Sequence, residues 1–450
     1  MKEQKSTIQS LNALAIPLII QSISSMIIST TDQAMIGRIS VSAFGAVGSV
    51  YQLIYMLVGI MGCTVIVFNI NGSRALGRQD KESFCDELIS SLLLSLILGG
   101  TLLIGIMVFH RSLLTGIFGF QGEILSDAEA YLGIVKWSIV IQMLVFSFTT
   151  YFKVIQKTKH ILWVSLIASL MNLLLDYVLI FGKLGFKPMG VRGAGYATVA
   201  SLLMSLLVYT LMASGDIQFK YKRMTVYLSR IKLNFQASLP IMGLEVLESN
   251  VFMMVITAIV SRQGEVALAS YLLIVQVISI LQMPMFMYAS AALTIVSEKM
   301  ETNWQLVKSI PRLAVACALC FYGSLGILGF GFRESIFALI NPNLNVVSLA
   351  SSLFFLYLLA NLMRIPSTVY SYALQAIGLS RFVLYRSALI NAIILAFVLA
   401  CATFAKGNSL IFLILCAVAL LLNYGLIALV GRKRFLKETQ NLVNEHTEVS

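Results

Sequence analysis

The stretch Leu162–Ala200 reads LWVSLIASLMNLLLDYVLIFGKLGFKPMGVRGAGYATVA. Its apolar run, from Leu162 to Gly182, holds about 20 residues, enough to cross a bilayer as one helix. Asn172 and Asp176 interrupt it. Four residues apart, they share one helical face, one turn above the other. A carboxylate near the centre of a membrane helix costs about 2.5–3.5 kcal/mol on insertion scales. Packing alone does not offset that cost. Asp176 is therefore expected to face a partner or a water-filled cavity, and to have a function there.

Similar runs recur along the whole chain, over 6–31, 39–73, 88–110, 137–152, 160–182, 193–215, 236–261, 266–297, 313–332, 335–363, 387–405 and 407–431. They are numbered below as spans 1–12. Hydrophobic residues make up 58% of the chain and charged residues only 12%, about half the share of a soluble protein. The pattern predicts an all-α polytopic membrane protein with twelve transmembrane helices. The alternating ten-residue segments of a membrane barrel are absent from the sequence. No stretch is long and polar enough for a separate soluble domain. The first run lacks a cleavage pattern and is expected to remain as a helix.

The net charge is +12, and its placement carries more information than its size. With the N-terminus inside, 22 of the 32 Lys and Arg residues fall in cytoplasmic segments and 8 outside, while Lys136 and Arg364 fall in or beside spans. The bias predicts a multi-pass protein of the cytoplasmic membrane with both termini cytoplasmic. It also accounts for the basic charge as a topology signal that meets membrane lipid, with no nucleic acid as partner. The six cysteines and three histidines show no metal-ligand spacing; Cys317 and Cys320 sit inside an apolar run and read as small packing residues.

Span 1 contains Pro17, a candidate hinge because proline removes a backbone bond, and ends near Asp32. Asp32 is either a wet loop acid or an acid pointing into the bundle. Depth favours the second reading. Asp32 lies roughly 8 Å below Gly37, Asp176 roughly 9 Å below Gly182, and Thr198 roughly 8 Å below Gly193, at 1.5 Å per helical residue. Three polar side chains on three spans thus share one depth in the outer leaflet, with Asn172 one turn deeper. The segment Arg111–Tyr131 has apolar residues at helical spacing and is expected to lie in the interface.

The chain repeats. Pro240 answers Pro17 at an offset of 223, and Arg262 answers Arg38 at 224; Gln375 and Asn391 keep the spacing of Gln156 and Asn172. Two six-helix lobes related by a pseudo-two-fold axis along the membrane normal are expected. Their bounds are 1–213 and 236–431, with a cytoplasmic linker over 214–235 and a cytoplasmic tail over 432–450. The acids do not repeat: at these offsets Val255 stands opposite Asp32 and Leu395 opposite Asp176. The second lobe instead carries Glu245 and Glu248 on one face of span 7, opposite Ser22 and Ser25, as further candidate substrate or coupling acids.

TDQAMIGRIS at 31–40, NLLLDYVLIFG at 172–182 and GVRGAGYAT at 190–198, in this order and spacing, resemble the multidrug and toxic compound extrusion transporters. The resemblance covers nearly the whole chain. It implies a cation site in the first lobe at Asp32, Asn172 and Asp176, with Thr198 as the matching threonine, and a second-lobe glutamate at Glu248, eight residues after Pro240. It also implies a secondary antiporter that exports organic, often cationic, drug-like compounds in exchange for H⁺ or Na⁺ by alternating access. Na⁺ would sit at Asp32, Asn172 and Asp176. No cofactor, no enzymatic activity and a monomeric state are expected. Met26, Met35, Met283, Met285 and Met287 are candidate cavity residues. Where some members carry an acid in span 10, this chain reads ANLMRIPST, with Asn361 and Arg364. The alternative is a lipid-linked oligosaccharide flippase of the wider superfamily, with Arg364 and Lys136 as the cations for a pyrophosphate head group.

Overall fold

A computed structural model describes residues 2–215, 224–405 and 408–449. The helices run in order as α1 (Lys2–Gly37), α2 (Val41–Gly62), α3 (Thr64–Gly77), α4 (Lys81–Ser112), α5 (Gly122–Val135), α6 (Ser138–Val154), α7 (Thr158–Phe181), α8 (Val191–Ser214), α9 (Met224–Glu245) and α10 (Met253–Ser261). They continue as α11 (Glu265–Leu281), α12 (Met283–Lys299), α13 (Trp304–Val307), α14 (Ile310–Gly331), α15 (Arg333–Ile340), α16 (Leu344–Leu362), α17 (Arg364–Ala376), α18 (Ser380–Phe404) and α19 (Ser409–Val449). Two π-helical segments, Leu113–Ile117 and Val246–Phe252, interrupt the ladder. Among the described residues, ten continuous stretches are long and apolar enough to cross a membrane, and two bent pairs supply two more. The pairs are α5 with α6, bent by 45°, and α11 with α12, bent by 43°. Counting each pair as one span gives the twelve that the run pattern predicts.

The chain divides into two compact units. The N-unit is Ile20–Ser238; the C-unit joins Met1–Ile19 to Leu239–Ser450. The divisions fall inside α1 and α9, next to Pro17 and Pro240. Each proline lacks the amide that would bond four residues back. Both helices therefore change unit where their ladder is weakest.

In the N-unit, α7 and α8 pack along each other, α6 lies against α4 and α8, and α5 fills the space between α2 and α8. Helix termini follow local chemistry. Asp80 caps α4 by accepting from the Ser83 amide at 2.9 Å, and that bond holds its carboxyl below the usual carboxylate range. Gly182 ends α7 in the left-handed region, with φ of 67°. A Cβ there would meet the Pro188 nitrogen at 2.5 Å. Beyond this turn, Gly193 lies on the α7 backbone: a Cβ would stand 2.7 Å from the Leu179 carbonyl carbon. The two helices that carry Asp176 and Thr198 are thus held together by residues without side chains. Gly193→Ala should destabilise the folded protein by about 1–3 kcal/mol through overpacking. Gly105→Ala on α4, where nothing lies within 4 Å, should be neutral or stabilising by up to about 1 kcal/mol. Thermal unfolding of the two purified variants in detergent checks this; equal unfolding temperatures would refute the close α7–α8 crossing.

Several expectations need correction. The segment Arg111–Tyr131 does not lie in the interface as one helix. It is the end of α4, a π turn and most of α5, and α5 buries Ala128, Tyr131, Leu132 and Val135 in the N-unit core. Its helical spacing reflected a core face. Arg386, one residue before the apolar run 387–405 and so counted among the cytoplasmic bases, lies inside α18 and is buried. Lys136 and Arg364 are therefore not the sole bases within spans. Met285, a candidate cavity residue, is 1% exposed and packs in the C-unit. The repeat register also shifts. The left-handed residues of two matching turns, Gln156 and Gly378, are 222 apart, as are the starts of α7 and α18. Ile394 and Val398, rather than Asn391 and Leu395, then stand opposite Asn172 and Asp176; an acid is missing on either alignment. Of the basic residues used for orientation, Lys220, Lys222, Arg223 and Lys406 lie outside the described residues, as does 216–223 of the expected linker.

Candidate functional site

The N-unit gathers polar side chains from four helices around Asp176. Asp176 is fully buried on α7. Its carboxyl lies beside the Asp32 carboxyl on α1 and in its electrostatic field. Asp32 is thus an acid of the bundle, not of a loop. Tyr131 of α5 reaches the same place: its hydroxyl meets the Thr198 side chain and lies in the field of both aspartates. Tyr51 of α2 adds a second phenol beside Asp32 and bonds to Ser29. Thr198 Oγ1 also donates to the Ala194 carbonyl at 3.0 Å, which fixes its rotamer.

Two ionised carboxylates cannot donate to each other. Asp32 Oδ1 and both Asp176 oxygens are buried without a hydrogen-bond donor, and Asn172 Nδ2, one turn deeper on α7, is buried without an acceptor. A buried acceptor left unpaired costs about 1–3 kcal/mol, and more when charged. A proton shared by the pair would satisfy two oxygens at once. A hard cation would find two carboxylates beside the Thr198, Tyr131 and Tyr51 hydroxyls, oxygen donors of the kind that suits such ions. Chemically, the arrangement offers buried acceptor oxygens that either a proton or a small hard cation would satisfy. Tyr131 and Tyr51 were missed by sequence reasoning. Tyr131 lay in the segment read as interfacial, and nothing local marks Tyr51.

The C-unit acids sit differently. Glu245 ends α9, and Glu248 lies in the π segment that follows. A π turn shifts the register by one residue and commonly marks a functional position. Glu248 lies near Ser387 and in the fields of Arg364, Arg386 and Glu245. Arg386 Nη2 donates to Ser371 Oγ at 2.7 Å, while its Nε and Nη1 are buried without an acceptor. Gly431 leaves room for it: a Cβ there would be 2.5 Å from Nη1. Asn391 accepts from Asn423 Nδ2 at 2.7 Å. The two units thus hold different polar clusters on a repeated helical plan. Among the described residues, no three His, Cys, Asp or Glu side chains come together in a metal-binding group.

The MatE family model matches the chain twice, over residues 17–178 and 240–402. The two matches begin at the two prolines, 223 residues apart. The probable multidrug resistance protein YoeA of Bacillus subtilis is 23% identical over 394 residues, 84% of this chain and 83% of that one. The probable multidrug resistance protein NorM of Thermotoga maritima is 25% identical over 348 residues, 75% of this chain and 73% of that one. Among solved structures, the Vibrio cholerae MATE transporter VcmN in its bent form superposes with a TM-score of 0.86 at 16% identity, over 98% of this chain and 100% of that one.

Proposed function

Since the chain belongs to the MatE family of membrane transporters, we propose that it is an antiporter that expels small organic compounds, often cationic and drug-like, in exchange for H⁺ or Na⁺. Its membership makes it a multi-pass transporter and not an enzyme. The observation that carries the coupling is the Asp32–Asp176 pair, in which Asp32 Oδ1 and both Asp176 oxygens are buried with no donor of their own. Such a pair changes its interactions most between empty and cation-bound forms, and only a differential interaction can shift a conformational equilibrium. The names of the multidrug resistance relatives support drug-like substrates. The charge bias supports cytoplasmic termini and an outer-leaflet cation site. The protein works as a monomer, because each chain brings both lobes of the repeat.

Substrate flux in proteoliposomes with independently imposed pH and Na⁺ gradients tests this reading. Efflux that responds to neither gradient would overturn it. Pro17 is the hinge of helix α1 in this cycle. Pro17→Ala restores a backbone donor and stiffens α1. It should slow turnover about tenfold while changing substrate affinity less than about twofold, a rise of about 1.4 kcal/mol in the barrier. Unchanged turnover in the same vesicles would remove α1 bending from the mechanism.

A further inference from the structure

Two helix breaks meet in the C-unit. One is the 43° bend between α11 and α12, at Gln282. The other is the join of α16 and α17, at Met363. Gln282 links them: its Nε2 donates to Asn361 Oδ1 at 2.5 Å, and its Oε1 accepts from Arg364 Nη1 at 2.7 Å. Gln282 is 2% exposed and Asn361 5% exposed. Asn361 Nδ2 in turn donates to the Tyr357 carbonyl at 2.8 Å. Arg364 thus projects from the first turn of α17, near the middle of the Leu344–Ala376 span, with one nitrogen fixed by a fully engaged amide.

The rest of its guanidinium is framed by aromatic rings. Its central carbon lies 5.8 Å from the Phe286 ring centre and 5.3 Å from that of Tyr424. Arg364 is itself half-buried, and Phe286 is 37% exposed. Among the described residues no carboxylate lies within ion-pair distance of Arg364. Glu248, the nearby acid, is beyond ion-pair distance and shared between the fields of Arg364 and Arg386. A guanidinium has five donors in a planar fork. One is committed to Gln282. A cation at this depth is costly unless it pairs with something, and its stacked, half-accessible position leaves the pairing to a ligand.

We propose that Arg364 is an anion-binding subsite of the C-unit, which takes the carboxylate, sulfonate or phosphate group of an amphipathic organic solute while Phe286 and Tyr424 contact its apolar or aromatic body. Gln282 is a positioning residue that presents the fork. The range of exported compounds then includes organic acids as well as cations. The subsite rests on the reading above only for the direction of transport, because binding at Arg364 requires no gradient.

Equilibrium binding to the purified full-length protein in phosphatidylcholine nanodiscs tests it, with carboxyfluorescein as the anionic probe and rhodamine 6G as the cationic probe. Arg364→Gln should weaken carboxyfluorescein binding about tenfold or more, the loss of a charge-assisted contact, and leave rhodamine 6G within about twofold. Arg364→Lys keeps the charge but not the fork, and should fall between the two for the anion. Gln282→Leu should weaken the anion alone, although Arg364 is still present. A merely structural tie between the helix breaks would instead lower the unfolding temperature and weaken both probes alike, and that result would overturn the proposal. So would a wild type that binds rhodamine 6G but not carboxyfluorescein. If Arg364→Gln does not fold, the Lys and Leu variants decide by the same selectivity. Phosphatidylglycerol added to the nanodisc distinguishes the source of the anion: displacement of carboxyfluorescein by a few per cent of it would assign the subsite to a lipid headgroup and overturn the solute assignment. Loss of gradient-driven export with anion binding intact would count against antiport, and not against this subsite.

Discussion

Asp176→Asn should yield a folded protein that still binds substrate but no longer concentrates it. The substitution keeps the size of the side chain and its hydrogen-bonding capacity, and a neutral amide costs less to bury than a charge. The Asn amide can donate to the Asp32 carboxylate, so the variant supplies for itself the donor that the pair otherwise lacks. Membrane yield should therefore match or exceed wild type. The same change removes the site's choice between empty and occupied forms. Linkage requires that an effector without differential binding shift nothing. Substrate affinity across pH 5.5–8.5, with and without Na⁺, should become flat, over roughly the range in which perturbed carboxylates titrate. One charge moved through 100 mV is worth about 2.3 kcal/mol, enough for about a fiftyfold gradient. The variant should let substrate equalise across the vesicle membrane. Retention of the wild-type pH or Na⁺ dependence would make Asp176 a buried core residue and nothing more.

Glu87→Ala should be the most damaging substitution to stability outside the cation site. Glu87 Oε1 accepts from Arg230 Nη1 at 2.5 Å, and its Oε2 accepts from Asn234 Nδ2 at 2.8 Å. Asn71 Nδ2 then donates to Asn234 Oδ1 at 3.1 Å, and Arg230 Nη2 lies 3.3 Å from Asp86 Oδ2. Asp86, Glu87 and Asn234 are buried. The network pins the first half of α9 to α3 and α4 within the N-unit. Removing one partner of a buried ion pair costs about 3–5 kcal/mol, because the other is left uncompensated. The lower end applies here, since Arg230 keeps Asp86 and is partly exposed. Replacing both Glu87 and Arg230 with Met should cost much less than the sum of Glu87→Met and Arg230→Met made singly. Chemical denaturation of the four proteins in one detergent closes the cycle; additive effects would show that the network holds nothing together.

Much of the architecture is legible in the chain itself. Bilayer thickness converts run length directly into spans, so composition and the spacing of apolar runs determine the all-helical class and the count of twelve. Asp32, Asn172, Asp176 and Thr198 stand out because a polar residue in an apolar run is costly wherever it occurs, and costs of that kind are local. The prolines at 17 and 240 mark the repeat for the same reason. Tertiary structure decided the rest, because it depends on which faces meet. That Asp32 and Asp176 are neighbours, and that Tyr131 joins them, follows from the convergence of side chains on α1, α5 and α7, helices far apart in sequence. Only packing placed Arg386 inside a span and α5 in the core. The meeting of two helix breaks at Gln282 is likewise a product of the fold. A glutamine next to a methionine and a proline carries no local sign that it will hold an arginine in place.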